Sequence, residues 1–120
     1  MGLFNLFSAG PQIDYDAIDP VTVQTNLLMM TENDDCQKNI KKLRVGSLVT
    51  LTRTRRNKQN VYIVSDLKTG NVIGEISYGT SDYLAANFPK HKMLGKVTEI
   101  GRITPTARHI QVKIEYKVYL

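Results

Sequence analysis

Residues 46–76 read GSLVTLTRTRRNKQNVYIVSDLKTGNVIGEI, and this stretch decides the fold that the sequence predicts. Two runs rich in Val, Ile, Leu and Thr, residues 46–53 and 61–66, are separated by a polar segment. A third run, residues 71–76, follows a Lys-Thr-Gly turn. Because β-branched residues bounded by turn residues are typical of strands, we predict three consecutive antiparallel strands.

The segment between the first two strands carries the densest positive charge of the chain. Arg53, Arg55, Arg56 and Lys58 lie close together, with no acid among residues 53–60. We interpret this segment as a cationic loop that the flanking strands hold rigid. The loop is the candidate binding surface.

The remaining segments extend the β pattern. Residues 110–119 alternate apolar and polar side chains without interruption, which is the strongest periodic signal in the sequence. Two other segments have β character, residues 21–30 and 93–100. Short helices are predicted over residues 36–43 and 82–88, the second with Ser81 as its N-cap.

About six strands with two short helices predict a mainly β domain over residues 21–120. Its expected architecture is a small OB-like or SH3-like β-barrel. Residues 1–20 contain two Pro breakers and three acids, and we interpret them as an irregular acidic N-terminal arm.

Charge is distributed unevenly between the two ends of the chain. Residues 1–37 contain six acids and no Lys or Arg, whereas residues 38–120 contain all sixteen basic residues and five acids. A strongly basic body attracts polyanions, although the same charges also serve as an ordinary solvated surface. The acidic arm is an alternative partner for the basic loop, which it would then cover.

Several classes of function find no support in the sequence. The histidines His91 and His109 have no Cys or second His at ligand spacing, so we expect no metal site, and each is interpreted as a surface histidine. No catalytic constellation or cofactor motif is present, so we expect neither an enzyme nor a cofactor. No apolar run approaches the roughly 20 residues of a membrane helix. The single cysteine, Cys36, fits a reducing compartment, and we expect a cytoplasmic protein.

Basic residues interleaved with aromatic ones are the remaining signal. Small barrels hold single-stranded nucleic acid with a cationic groove and stacking aromatic side chains. The predicted stacking residues are Tyr62, Tyr78 and Tyr83, although tyrosines also pack as amphipathic core residues. The predicted cationic contacts are Arg53, Arg55, Arg56 and Lys58, with Lys90, Lys92 and Arg102 as a second bank.

Residues 42–53 (KLRVGSLVTLTR), 60–64 (NVYIV), 70–76 (GNVIGEI) and 97–101 (VTEIG) together resemble the HIRAN domain. The resemblance covers residues 21–120. It implies an OB-like β-barrel that, in eukaryotic DNA-remodelling helicases, binds single-stranded DNA at a free 3′ end. In size the chain is more similar to the small stand-alone bacterial type.

The resemblance carries over only in part. The family often has a Tyr and an Asp in the loop before the position of Asn60, where they stack on a base and contact the terminal hydroxyl. Here those positions are Asn57 and Lys58. Asn60 and Arg53 match the family pattern, so we expect phosphate contacts rather than recognition of a 3′ end.

Two hypotheses follow. In the first, the chain is a non-catalytic module that binds nucleic acid, preferably single-stranded DNA. In the second, it is a protein-interaction domain that docks a partner protein or forms a homodimer. A homodimer would form if the acidic arm of one copy paired with the basic body of another.

Overall fold

The computed structural model describes residues 13–120, and these form a mainly β structure, which confirms the predicted class. The strands are β1 Thr22–Leu27, β2 Leu48–Arg56, β3 Gln59–Asp66, β4 Val72–Glu75, β5 Lys92–Gly101 and β6 Gln111–Tyr119. The helices are α1 Asp34–Ile40 and α2 Tyr78–Asn87. Neither helix in this part of the chain is long and apolar enough to span a membrane.

All six strands belong to one antiparallel sheet with the order β1-β6-β5-β2-β3-β4. The two outermost strands are not joined by a ladder, so the sheet is not closed. One antiparallel bridge connects its ends, because Met29 and Glu75 exchange backbone hydrogen bonds of 2.8 and 2.9 Å. Gly74 permits this approach, since a Cβ atom there would lie 3.0 Å from the Met29 carbonyl oxygen.

Strand β6 runs through the centre of the hydrophobic core. Its alternating pattern appears as predicted, with every second side chain fully buried: Val112, Ile114, Tyr116 and Val118. The neighbouring β1 places polar side chains on this face, and the Tyr116 hydroxyl donates to Asn26 Oδ1 at 2.6 Å. Gly95 of β5 lies directly opposite Tyr116, where a Cβ atom would lie 3.1 Å from the Tyr116 Cβ.

Both helices begin earlier in the chain than predicted. Helix α1 starts at Asp34 because the Asn33 side chain accepts hydrogen bonds from the backbone N–H groups of Asp35 and Cys36. Helix α2 starts at Tyr78, and its N-cap is Ser77 rather than Ser81. Several polar residues precede each helix, so composition alone did not single out the capping residue.

The part of the N-terminal arm that the structure describes lies against the sheet. A short 3₁₀ turn, Tyr15–Ala17, buries the Tyr15 ring, whose hydroxyl donates to Glu115 Oε1 at 3.1 Å. Lys117 Nζ donates to the Tyr15 carbonyl at 2.8 Å and lies 4.6 Å from the ring centroid. Tyr15 and the Ile18 carbonyl therefore contact the outer face of β5 and β6, while residues 1–12 of the predicted arm lie outside the described residues.

Replacing Gly95 with Ala tests the close packing of β5 against its neighbours. The new methyl group would lie 2.9 Å from the Glu115 carbonyl oxygen and 3.0 Å from Val49 Cγ2. We expect the free energy of unfolding to fall by about 1–3 kcal/mol because the core cannot accommodate the extra volume. Urea denaturation measures this. The matched control is Gly101→Ala on the same strand, where nothing lies within 4 Å, and an equal loss in both variants would contradict the packing argument.

The titration of Tyr116 predicts how the free energy of unfolding changes as the pH rises into the alkaline range. Burial raises the pKa of Tyr116 to about 12 from its ordinary value of 10.0. Since the unfolded chain deprotonates first, this tyrosine's contribution is complete below pH 10 and is lost as the pH rises to about 12. We expect the stability difference between the wild type and Tyr116→Phe to shrink over that range in urea denaturation. A difference that stays constant would show that Tyr116 titrates normally.

Candidate nucleic-acid interface

The predicted cationic loop is a β-hairpin, so the loop prediction was wrong. Strand β2 continues to Arg56, and β3 begins at Gln59. The two residues between them, Asn57 and Lys58, have φ angles of 52° and 65°. Two successive left-handed residues are typical of the tightest hairpin turn, whose twist matches that of the strands. The arginines therefore lie on a strand, where alternation fixes their directions.

Strand alternation separates Arg56 from the other two arginines. Arg53 and Arg55 lie on one face of β2, and Arg56 lies on the opposite face. The Arg56 guanidinium donates two hydrogen bonds to the Glu75 carboxylate, of 3.1 and 2.7 Å. These hydrogen bonds raise the pKa of Arg56 above its usual value. Arg56 thus joins the hairpin to β4, and its guanidinium is engaged by a carboxylate whereas those of Arg53 and Arg55 are not among residues 13–120.

Arg53 and Arg55 line an open cleft of about 490 Å³ between the hairpin and helix α2. Neither forms an ion pair with a carboxylate among residues 13–120. Arg55 Nη2 donates to the Lys58 carbonyl at 3.1 Å, which holds the guanidinium near the turn. The other lining residues are Thr54, Asn60, Asp82, Ala85 and Ala86.

One acid enters this cleft from the helix. Asp82 accepts a hydrogen bond from Asn60 Nδ2 at 3.5 Å, across the cleft floor. The sequence argument missed this carboxylate because it lies more than 20 residues from the hairpin. The cleft therefore has a cationic wall on β2 and a wall on α2 that carries one carboxylate and two small apolar residues.

The three predicted stacking tyrosines have different environments. Tyr62 lies opposite Arg53 on β3 and is 4% exposed, so it is a packing residue and its ring cannot stack on a base. Burial raises the pKa of Tyr62, and the adjacent Arg53 guanidinium offsets part of that rise. Tyr78 and Tyr83, both on α2, are 45% and 51% exposed and remain available.

Tyr83 belongs to a small aromatic cluster at the end of α2. Its ring meets Phe88 edge-to-face at a centroid distance of 6.2 Å, and Phe88 meets His91 at 5.2 Å. His91 is half-buried, and its Nδ1 atom is buried without a hydrogen-bond partner among the described residues. The prediction of a surface histidine therefore holds for His109, which is exposed, but not for His91.

The predicted second bank of cations is divided between the two ends of β5. Because β2 and β5 are antiparallel, with Thr50 opposite Leu94, Lys90 and Lys92 lie toward the Arg53 end of β2. Arg102 follows the other end of the ten-residue strand, roughly 30 Å away at the usual rise per residue. Arg102 is therefore not part of the cleft.

A further basic cluster lies at the Leu48 end of β2. Lys42, Arg44 and Lys68 surround a shallow depression of about 330 Å³ that also contains Asp66. The sequence signal for it was the Lys-Lys-Leu-Arg run at residues 41–44, which was assigned to the end of a helix and to the HIRAN-like motif but not to a binding surface. This depression lies at Leu48, seven residues before Arg55 along β2. Its cations therefore do not extend the cleft directly.

Ser81 connects helix α2 to β3 and so sets one wall of the cleft. Its hydroxyl is fully buried, accepts a hydrogen bond from the Tyr62 N–H at 3.2 Å and donates to the Ile76 carbonyl at 3.2 Å. Sequence reasoning assigned Ser81 as a helix cap, but it lies inside the helix. The following residue, Asp82, faces the cleft because Ser81 faces the sheet.

Comparisons with protein families, with curated proteins and with solved structures find no match to this chain.

Replacing Ser81 with Ala tests its connecting role. The substitution leaves the buried Tyr62 N–H without an acceptor, and we expect the free energy of unfolding to fall by about 1–3 kcal/mol. Chemical denaturation measures the loss. Ser65→Ala on β3 is the matched control, because the Ser65 hydroxyl makes no hydrogen bond to a described residue. If Ser81→Ala lowered the free energy of unfolding no more than Ser65→Ala, the Ser81 hydroxyl would not stabilise the contact between α2 and β3.

Proposed function

We propose that the chain is a non-catalytic module that binds single-stranded nucleic acid in the cleft between the β2–β3 hairpin and helix α2. One observation carries the proposal. Arg53 and Arg55 lie side by side on an exposed strand, have no carboxylate partner among residues 13–120, and face an open cleft. Guanidinium groups in that state are available for charge-assisted hydrogen bonds to phosphate.

The unequal walls of the cleft favour one orientation of the strand. Phosphates lie along β2, near Arg53 and Arg55, because Asp82 repels them from the helix. Bases then point toward Ala85 and Ala86, whose small side chains leave space above the helix. Tyr83 lies one helical turn before Ala86, where its exposed ring is available for stacking on a base.

The proposed family is HIRAN-like, with the curved sheet as an OB-like barrel whose ends are joined at Met29 and Glu75. The positions that would supply the base-stacking ring and the hydroxyl acceptor are Asn57 and Lys58, the two residues of the hairpin turn. The proposal therefore includes phosphate binding without recognition of a 3′ end. A reducing, cytoplasmic location accords with the single, buried Cys36.

Replacing Arg53 and Arg55 together with Ala tests the proposal. We expect affinity for a fluorescent single-stranded oligonucleotide to fall at least about tenfold, for DNA of any sequence, because each lost phosphate contact removes a charge-assisted hydrogen bond. The slope of log affinity against log salt should become shallower by about 1.4, which is two contacts at roughly 0.7 each. Fluorescence anisotropy at several salt concentrations measures both quantities, with a duplex of the same sequence in parallel.

Two control variants separate the cleft from the general positive charge. The exposed arginine Arg102 is remote from the cleft, and Arg102→Ala should leave the affinity within about twofold, as is usual for a surface change outside a site. Arg56→Ala should weaken folding without a comparable loss of binding, since Arg56 is held by Glu75. Equal losses of affinity from the double variant and from Arg102→Ala would mean that the net charge, and not the cleft, attracts the oligonucleotide.

A further inference from the structure

Strand β1 has apolar side chains on its outward face. Residues 21–31 contain no charged side chain. On β1, Thr22, Gln24 and Asn26 share the face of the buried β6 residues, which leaves Val23 and Leu27 on the opposite face, each 46% exposed. Natural edge strands usually carry a charge, a Pro or a bulge that prevents pairing with other chains. This strand lacks a charge and a Pro, and its pairing with β6 has no register shift.

The backbone of β1 also has free hydrogen-bonding groups along that edge. Leu28 donates its N–H to Val112 of β6, whereas the next residue, Met29, bonds to Glu75 on the other side. Alternation along an antiparallel strand then directs the N–H and C=O groups of Val23, Thr25 and Leu27 away from β6. Outside the β1–β6 ladder, no backbone hydrogen bond within residues 13–120 involves these three residues.

The strand is complementary to a second copy of itself. When two β1 strands run antiparallel about a two-fold axis at Thr25, Val23 of each copy lies opposite Leu27 of the other. The residues whose backbone groups are free are then the residues that form the hydrogen-bonded pairs, about six bonds in all. The same residues place their apolar side chains on one face, so each Val23 packs on a Leu27.

We propose that the protein forms a symmetric homodimer by antiparallel pairing of β1 with β1, centred on Thr25. An uncharged strand provides no site for a polyanion, and an unrelated partner strand would have no reason to match this register in both directions. Strand β1 contributes none of the residues that line the proposed nucleic-acid cleft.

The oligomeric state of the full chain as a function of concentration is the first test. Sedimentation equilibrium should show a monomer–dimer equilibrium, and Leu27→Lys should raise the dimer dissociation constant at least about tenfold, because it changes both symmetric Val–Leu contacts. Val45→Lys is the matched control. Val45 is 66% exposed and lies outside β1, so its replacement should leave the dimer unchanged.

Amide hydrogen exchange measured by NMR tests the register. The N–H groups of Val23, Thr25 and Leu27 should become protected as the protein concentration rises, and Leu27→Lys should abolish that protection. A chain that is monomeric at all concentrations would overturn the proposal, as would a dimer that Leu27→Lys leaves intact. Protection of the three amides in the monomer would also overturn it, because another part of the same chain would then occupy the edge. None of these results depends on whether the cleft binds nucleic acid.

Discussion

The two-residue turn at Asn57 and Lys58 is the constraint on which the arrangement of the charged side chains depends. A turn this short permits one register between β2 and β3, and a shift by one residue would exchange the two faces of both strands. The same register places Arg53 beside Tyr62 and sends Arg56 to the opposite face. The cleft is therefore a consequence of hairpin geometry and not only of the number of arginines nearby.

Glu75 connects three parts of the structure near this hairpin. Its carboxylate binds Arg56 of β2, its backbone pairs with Met29 after β1, and its strand lies beside β3. One acidic residue thus links the tip of the hairpin to the two ends of the curved sheet. Arg56 thus has a structural role, while Arg53 and Arg55 form no ion pair with a carboxylate among residues 13–120.

Much of the secondary structure was predictable because it is encoded locally. The alternation along β6 gave the core residues correctly, and the β-branched runs indicated β2, β3 and β4. The prediction failed at residues 53–60, because the four cations there were taken to indicate a loop. Thr52 and Thr54 favour a strand, and Asn57 accepts the left-handed conformation that a tight hairpin turn needs. The start of α2 was misplaced because Ser77 and Ser81 are both good capping residues, and only the buried partners of Ser81 distinguish them.

The sequence by itself determined the mainly β class, the turn-bounded strands and the concentration of positive charge after residue 37, because periodicity, β propensity and composition are local properties. Tertiary structure decided which charges remain available. Arg56 found a carboxylate 19 residues away, Asp82 entered the cleft from a separate helix, and Arg102 was carried to the far end of β5. These outcomes depend on sheet order and register, which arise from long-range packing that no short segment of the chain specifies.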